Sequence, residues 1–198
     1  MPKIVDHDKQ RQRVAEAAIR VIRKSGFEQA SVRNIAQEAG LSAGSMRHYF
    51  STQAELFAFC MNIFRERIEK RIERMTFRGP ILQELKHLIL QFLPLDEERT
   101  MEMEVWLSFN AKALIHPELR VLSNEMHNAL YRASKFVIET LVERRLGSPG
   151  LEPEIETEKL YALIDGLAIH QIMQPGRLDV ERIEFMIDDH LNMLCRSL

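Results

Sequence analysis

Ser42, Gly44, Ser45, Arg47 and His48 fall within one short window, separated only by Ala43 and Met46 and followed by Tyr49 and Phe50. Small residues let a backbone approach a surface, hydroxyls and an imidazole exchange hydrogen bonds, and a guanidinium grips phosphate or the O6/N7 edge of guanine. This is the chemistry of holding a nucleic acid. Bond-breaking chemistry has a single trace, Glu84-Leu85-Lys86-His87. A di-iron helical bundle needs two Glu-x-x-His motifs and two further carboxylates. No other histidine of this chain has a carboxylate three residues earlier. Cys60 and Cys195 lack metal or redox spacing, and no Gly-rich phosphate loop, nucleophile elbow or zinc pattern occurs. The expectation is a protein without catalytic residues, cofactor or metal. A helical metalloenzyme would rest on Glu84 and His87 alone, and a helical adaptor that ignores DNA would leave residues 31–50 unexplained.

Helices must position these side chains. Apolar residues recur at three- and four-residue spacing almost throughout, and the period-2 runs of a strand are missing. The fold class is all-α, with about nine helices. The first is expected over about 8–25, with Val14, Ala18, Val21 and Ile22 inward, Gly26 as a left-handed stop and Phe27 folding back. Ser31 caps a second helix, 32–39, ended by Gly40, with Val32, Ile35, Ala36 and Ala39 inward. Ser42 caps a third, about 43–49. Ser51 or Thr52 caps a long fourth helix running to about Met75. With Thr52 as cap, Glu55 stands where a capping box wants it. Breaks at Pro94, His116-Pro117, Gly147-Ser148-Pro149-Gly150 and Gln174-Pro175-Gly176 leave five more, roughly 81–93, 96–114, 117–146, 154–173 and 179–195.

Charge separates the two ends of the chain. Residues 1–78 carry fifteen basic and nine acidic side chains, +6, and the remainder twelve basic and twenty acidic, −8. Such asymmetry suits an N-terminal segment that meets a polyanion. The opening Met1-Pro2-Lys3-Ile4-Val5-Asp6-His7-Asp8 is polar, and no run approaches the ~20 apolar residues of a membrane span. A cytoplasmic protein with reduced cysteines is expected.

The second and third helices, joined by Gly40-Leu41-Ser42, make a helix-turn-helix. Ala36 is small where they cross, and Ile35, Leu41 and Met46 close a miniature core. The stretch Ser31-Val32-Arg33-Asn34-Ile35-Ala36-Gln37-Glu38-Ala39-Gly40-Leu41-Ser42-Ala43-Gly44-Ser45-Met46-Arg47-His48-Tyr49-Phe50, with Gly26-Phe27 before and Glu55-Leu56-Phe57 after, resembles the DNA-binding domain of the tetracycline-repressor (TetR) family over about residues 10–58. The resemblance implies that Ser31 and Arg33 meet phosphate, while Gly44, Ser45, Arg47, His48 and Tyr49 face bases or backbone in the groove. Two positions depart from the family pattern. Arg47 replaces a common aromatic and is suited to a guanine or to a phosphate, and Gln53 replaces a common lysine. Arg11 and Arg13 are further candidates for phosphate, or for a solvated basic face.

The resemblance also implies a division into a DNA-binding domain, 1–52, and a regulatory and dimerisation domain, 53–198, with a small-molecule pocket. Leu160, Leu163, Ile164 and Leu167, then Val180, Ile183, Ile187, Leu191 and Leu194, form core-type stripes. Phe185, Met186 and Met193 widen the second stripe beyond one face, so a homodimer through the last two helices is expected, with Gly166 permitting close approach. On the sixth helix Met103, Trp106, Leu107, Asn110 and Leu114 share a stripe expected to face inward. Asn110 there, and His170 two helices on, are polar groups that a ligand, or ordinary core partners, would satisfy. The candidate effector contacts are therefore Met103, Trp106, Phe109, Asn110 and His170. The run Trp106–Leu114 with His116-Pro117-Glu118-Leu119 is similar to regulatory domains in the branch that contains choline-pathway repressors. The reading is of a repressor that holds a double-stranded operator and is released by an unknown small-molecule effector.

Overall fold

The computed structural model describes residues 7–76 and 78–195, apart from the side chain of Phe27. The expected fold-back of Phe27 therefore lies outside the described residues. Among those residues there are nine α-helices: α1 His7–Ser25, α2 Val32–Ala39, α3 Ala43–Arg47, α4 Gln53–Glu73, α5 Ile81–Leu90, α6 Glu97–Ile115, α7 Pro117–Glu143, α8 Pro153–Met173 and α9 Val180–Leu194. The only β-type pairing described is an isolated bridge between Gly147 and Cys195.

Local chemistry sets most helix ends. Gly26 stops α1 at φ +83°, its N–H bonding back to Ile22 O at 2.8 Å. Asp179 caps α9 through Arg182 N at 2.8 Å. α5 ends three residues earlier than its apolar pattern suggests. Pro94 disfavours helical geometry at Leu93, and the chain tightens into bonds from Gln91 N to Leu88 O and from Phe92 N to Ile89 O. α7 ends at Glu143 in a Schellman turn, with Leu146 N on Leu141 O and Arg145 N on Val142 O, both at 2.9 Å. The left-handed residue of that turn is Arg145, at φ 59°. An L side chain there costs roughly 1–2 kcal/mol, which glycine relieves at the expense of a more flexible unfolded chain. Arg145→Gly is thus expected to raise stability by up to about 1 kcal/mol in urea denaturation. A lower midpoint at unchanged m-value would contradict the assignment.

The chain divides into two compact units. The first comprises Met1–Glu66 and Glu104–Ser123, the second Arg67–Met103 and Asn124–Leu198. In the first, α1 packs on α2 and α2 on α3. Its core holds Val14, Ile19, Ile35, Met46, Leu56 and Phe64 with Val105 and Phe109 of α6. In the second, Leu85, Ile89, Ile138, Leu141, Leu160, Ile164, Ile183 and Ile187 form one continuous cluster. Lys86 ties α5 to α9 there, 2.6 Å from Asp188 and 3.2 Å from Glu184. Burial opposes its charge, yet the two carboxylates outweigh burial and hold the ammonium pKa above its ordinary value.

Candidate nucleic-acid interface

Side-chain caps hold both helices of the helix-turn-helix. Ser31 is extended (φ −73°, ψ 155°) and its oxygen accepts from Asn34 N at 3.2 Å. Asn34 Nδ2 in turn donates to Gln29 O at 2.9 Å. α2 closes on Gly40 at φ 68°, where Leu41 N bonds Ala36 O and Gly40 N bonds Gln37 O. Ser42 then caps α3 by accepting from Ser45 N at 3.0 Å, and its hydroxyl lies 2.9 Å from that of Ser45. Met46 is the one fully buried residue of α3.

The seven residues expected to meet DNA all lie in the first unit, on α2, on α3 or just past it. Ser31, Arg33, Gly44, Arg47 and His48 are exposed, and Ser45 and Tyr49 are half-buried. A Cβ built on Gly44 would meet only Ser42 Oγ, at an ordinary 3.8 Å. Among the described residues, then, nothing demands glycine at position 44, and what its absence of a side chain preserves is outer surface. α3 is shorter than expected, because Tyr49 N and Phe50 N both turn back to Met46 O. His48 and Tyr49 accordingly stand beyond the last helical turn. Tyr49 packs against the ring of His7 at 5.1 Å.

Arg11, a candidate for phosphate or for a solvated face, turns to partners within the chain. Its Nη1 donates to Tyr49 O at 3.1 Å and lies 3.3 Å from Glu55 Oε1. Arg13 is exposed beside the α2–α3 turn, its Nη2 3.5 Å from where a Cβ of Gly40 would stand. Gln53 spends its amide on structure, donating to Ala30 O at 2.6 Å and fastening the start of α4 beside the start of α2. The capping box at α4 is shifted by one residue. Thr52 Oγ1 accepts from Glu55 N at 3.0 Å, but Glu55 Oε2 returns to Ser51, taking its N–H at 2.9 Å and its hydroxyl at 2.8 Å. Those two bonds from Ser51, helped by Arg11, hold the Glu55 carboxyl below its ordinary pKa. No sequence signal announced these structural roles of Arg11 and Gln53, whose backbone partners are 38 and 23 residues away.

The expected effector contacts are divided between the units, with Trp106, Phe109 and Asn110 in the first and Met103 and His170 in the second. The buried face of α6 is Glu102, Val105, Phe109 and Ala113, not the stripe through Leu107 and Leu114, and Leu114 is 74 % exposed. Apolar residues on both faces of α6 left the periodicity ambiguous. Trp106 is half-buried and stacks on Phe109 at 5.9 Å. Asn110 Oδ1 accepts from Ser123 Oγ at 2.6 Å. His170 is exposed in the last turn of α8, contrary to the inward position expected for it. Glu84 is buried with Oε1 on Gly79 N, while His87 is exposed. Among the described residues no three His, Cys, Asp or Glu groups converge as metal ligands. The Cys60 thiol is buried, donates to Ala15 O, and is pushed up to about 12.

The family model for bacterial regulatory proteins of the tetR family matches residues 14–59, and that for the C-terminal part of BetI-type transcriptional repressors matches residues 82–196. The chain belongs to the TetR family. It is a DNA-binding transcriptional regulator and not an enzyme. This TetR-family regulator is 41% identical to the HTH-type transcriptional regulator PksA of Bacillus subtilis (strain 168), over 98% of its own chain and 94% of that protein. A transcriptional regulator from Rhodococcus sp. Rha1 is 32% identical at a TM-score of 0.80, with 93% of this chain and 95% of that one covered. A regulator from Saccharomonospora viridis, solved in complex with choline, shares the fold at a TM-score of 0.82 and 20% identity, with 96% of this chain and 100% of that one covered. No described helix is long and apolar enough to cross a membrane.

Proposed function

We propose that this regulator is a cytoplasmic repressor that binds a pseudo-palindromic operator as a homodimer and leaves it when a small-molecule effector binds. Residues 1–52 carry the DNA contacts and residues 53–198 the effector and dimer contacts. The observation that carries the reading is the exposed rim of the helix-turn-helix. Arg33, Arg47 and His48 project from elements held by local caps, and Ser31 and Gly44 leave room for a phosphate and a groove floor. Ser31 Oγ accepts a backbone N–H and keeps its proton to donate to a phosphate oxygen. Arg47 has the fork to read guanine. In a symmetric dimer two copies of α3 lie about 34 Å apart, one turn of DNA.

The dimer surface we assign is a second stripe on α8. Ile155, Lys159, Ala162, Gly166, Ile169 and Met173 repeat at alternating four- and three-residue steps, on a face distinct from the core stripe Leu160, Ile164 and Leu167. Ile155, Ile169 and Met173 are 50, 41 and 65 % exposed, and Phe185 and Met193 of α9 add 68 and 67 %. A Cβ built on Gly166 would meet nothing within 4 Å among the described residues, so the close approach expected of this glycine is left for a second copy. Effector contact is assigned to Trp106, Phe109 and Asn110, the three expected residues that lie together on α6 within the first unit. The choline complex of the Saccharomonospora viridis regulator supports a small molecule as the class of effector for this architecture. The effector must bind the DNA-free conformation more tightly than the DNA-bound one, or it shifts nothing.

The test uses a duplex enriched from a random-sequence pool by the full-length protein. If roughly six phosphates are neutralised, log affinity falls with log salt at a slope of about −5. Arg47→Ala costs ~1–3 kcal/mol of affinity if it reads a base. A flat salt response, or an Arg47→Ala variant with parental affinity and sequence preference, counts against the rim as the DNA surface.

A further inference from the structure

We propose that Arg11 is a positioning residue for DNA recognition: it stays off the duplex and sets where the end of the recognition helix lies. The proposal rests on the reading of α3 as the element that enters the groove. The turn that follows α3, Tyr49-Phe50-Ser51, is grasped at each of its three residues. Arg11 Nη1 donates to the carbonyl of Tyr49 at 3.1 Å. Its guanidinium carbon lies 4.5 Å from the ring centre of Phe50 and 4.9 Å from that of Phe59, and those two rings meet edge-on at 5.4 Å. Ser51 is held by Glu55, which takes its N–H and hydroxyl on Oε2 while Oε1 faces Arg11 at 3.3 Å. One guanidinium thus closes a ring of contacts from α1 to the turn and on to the first turn of α4.

Only arginine fits this ring. Its planar fork hydrogen-bonds in its own plane and stacks above and below it, whereas a lysine ammonium is a single point charge without a stacking face. Half-buried, with its side chain 25 % exposed, the group is turned to the protein and not to solvent. Arg47 and His48 immediately precede the grasped turn, and groups that read a partner must be held within about 0.5 Å to do so. Loss of the clamp therefore weakens sequence-specific contacts while leaving phosphate contacts elsewhere intact.

The experiment measures affinity of the full-length chain for the enriched duplex and for an unrelated duplex across a salt series, in parent, Arg11→Ala, Arg11→Met, Arg11→Lys and Arg47→Ala. Arg11→Ala is expected to lose about tenfold in affinity for the enriched duplex, the worth of one charge-assisted hydrogen bond. It should lose far less on the unrelated duplex and keep the parental salt slope. Arg11→Met retains the aliphatic stem over the two rings and reports the same loss if the alanine variant does not fold. Arg11→Lys should behave like Arg11→Met, because a point charge cannot rebuild the ring. The opposite pattern overturns the proposal: a slope weakened by about 0.9, equal losses on both duplexes and rescue by lysine identify Arg11 as a phosphate ligand. Parental affinity in Arg11→Ala overturns it as well, and if Arg47→Ala is weakened in the same series the reading of α3 survives. A parent chain whose binding ignores salt would remove that reading and the proposal with it.

Discussion

Ile169→Asp is expected to convert the regulator from dimer to monomer and to lower its affinity for a two-half-site operator at least about a hundredfold, because one half-site no longer presents the second at high local concentration. Ile169 is 41 % exposed in the isolated chain and sits within the Ile155, Lys159, Ala162, Gly166, Ile169, Met173 stripe of α8. In a two-fold interface each position occurs twice, so a single substitution buries two carboxylates close to one another. An unpaired carboxylate taken out of water costs several kcal/mol, more than one apolar contact can offset. Sedimentation at micromolar concentration, with the same duplex binding assay, reads both effects. The control is Leu114→Asp, which alters a side chain 74 % exposed on α6 in the other unit and should leave assembly untouched. An Ile169→Asp protein that still sediments as a dimer would falsify the assignment of this stripe.

The second large effect concerns stability within the second unit. Glu102 of α6, its side chain 8 % exposed, accepts a two-pronged contact from Arg71 of α4, at 2.9 Å from Nη2 and 3.3 Å from Nη1, with Arg67 Nη1 at 3.6 Å. Arg71 also reaches Gln91 O, while its Nε is buried without an acceptor. Glu102→Ala takes from that half-buried guanidinium its two-pronged partner and is expected to cost about 3 kcal/mol in urea denaturation. Arg67 suffers less, since it also pairs with Glu98 and is 27 % exposed. The double variant Arg71→Met with Glu102→Leu removes both charges and refills the volume, so most of the loss should return. If the single and double variants unfold at the same midpoint, the pair is not what holds α4 to α6 in this unit.

Burial explains why some expectations survived contact with the structure and others did not. Val14, Ala18, Ile22, Ile35, Ala36 and Ala39 are buried as their spacing required. α1 and α2 are polar on one side and apolar on the other, so their patterns admit a single inward face. α6 carries apolar residues on both sides. Its pattern admitted two orientations, and Leu114, expected to face inward, is 74 % exposed while the buried face runs through Val105 and Phe109. His170 was placed inward by its distance from Leu167, but the core stripe of α8 ends at Ala168 and His170 lies on the exposed side of the last turn.

What the sequence determined by itself was everything that depends on a few consecutive residues: all-α content, the helix-turn-helix, and the caps at Ser31, Gly40 and Ser42, with that of α4 narrowed to Ser51 or Thr52. Each is a hydrogen bond across three to five residues, fixed as soon as the chain turns. The tertiary structure decided the use of each charged and amide side chain. Arg11 was a candidate for phosphate until Tyr49 O, 38 residues away, and Glu55 came within reach. Gln53 replaced an expected phosphate-binding lysine until it met Ala30 O. A long polar side chain takes whichever partner the packing of distant helices brings within about 3 Å, and no periodicity along the chain encodes that choice.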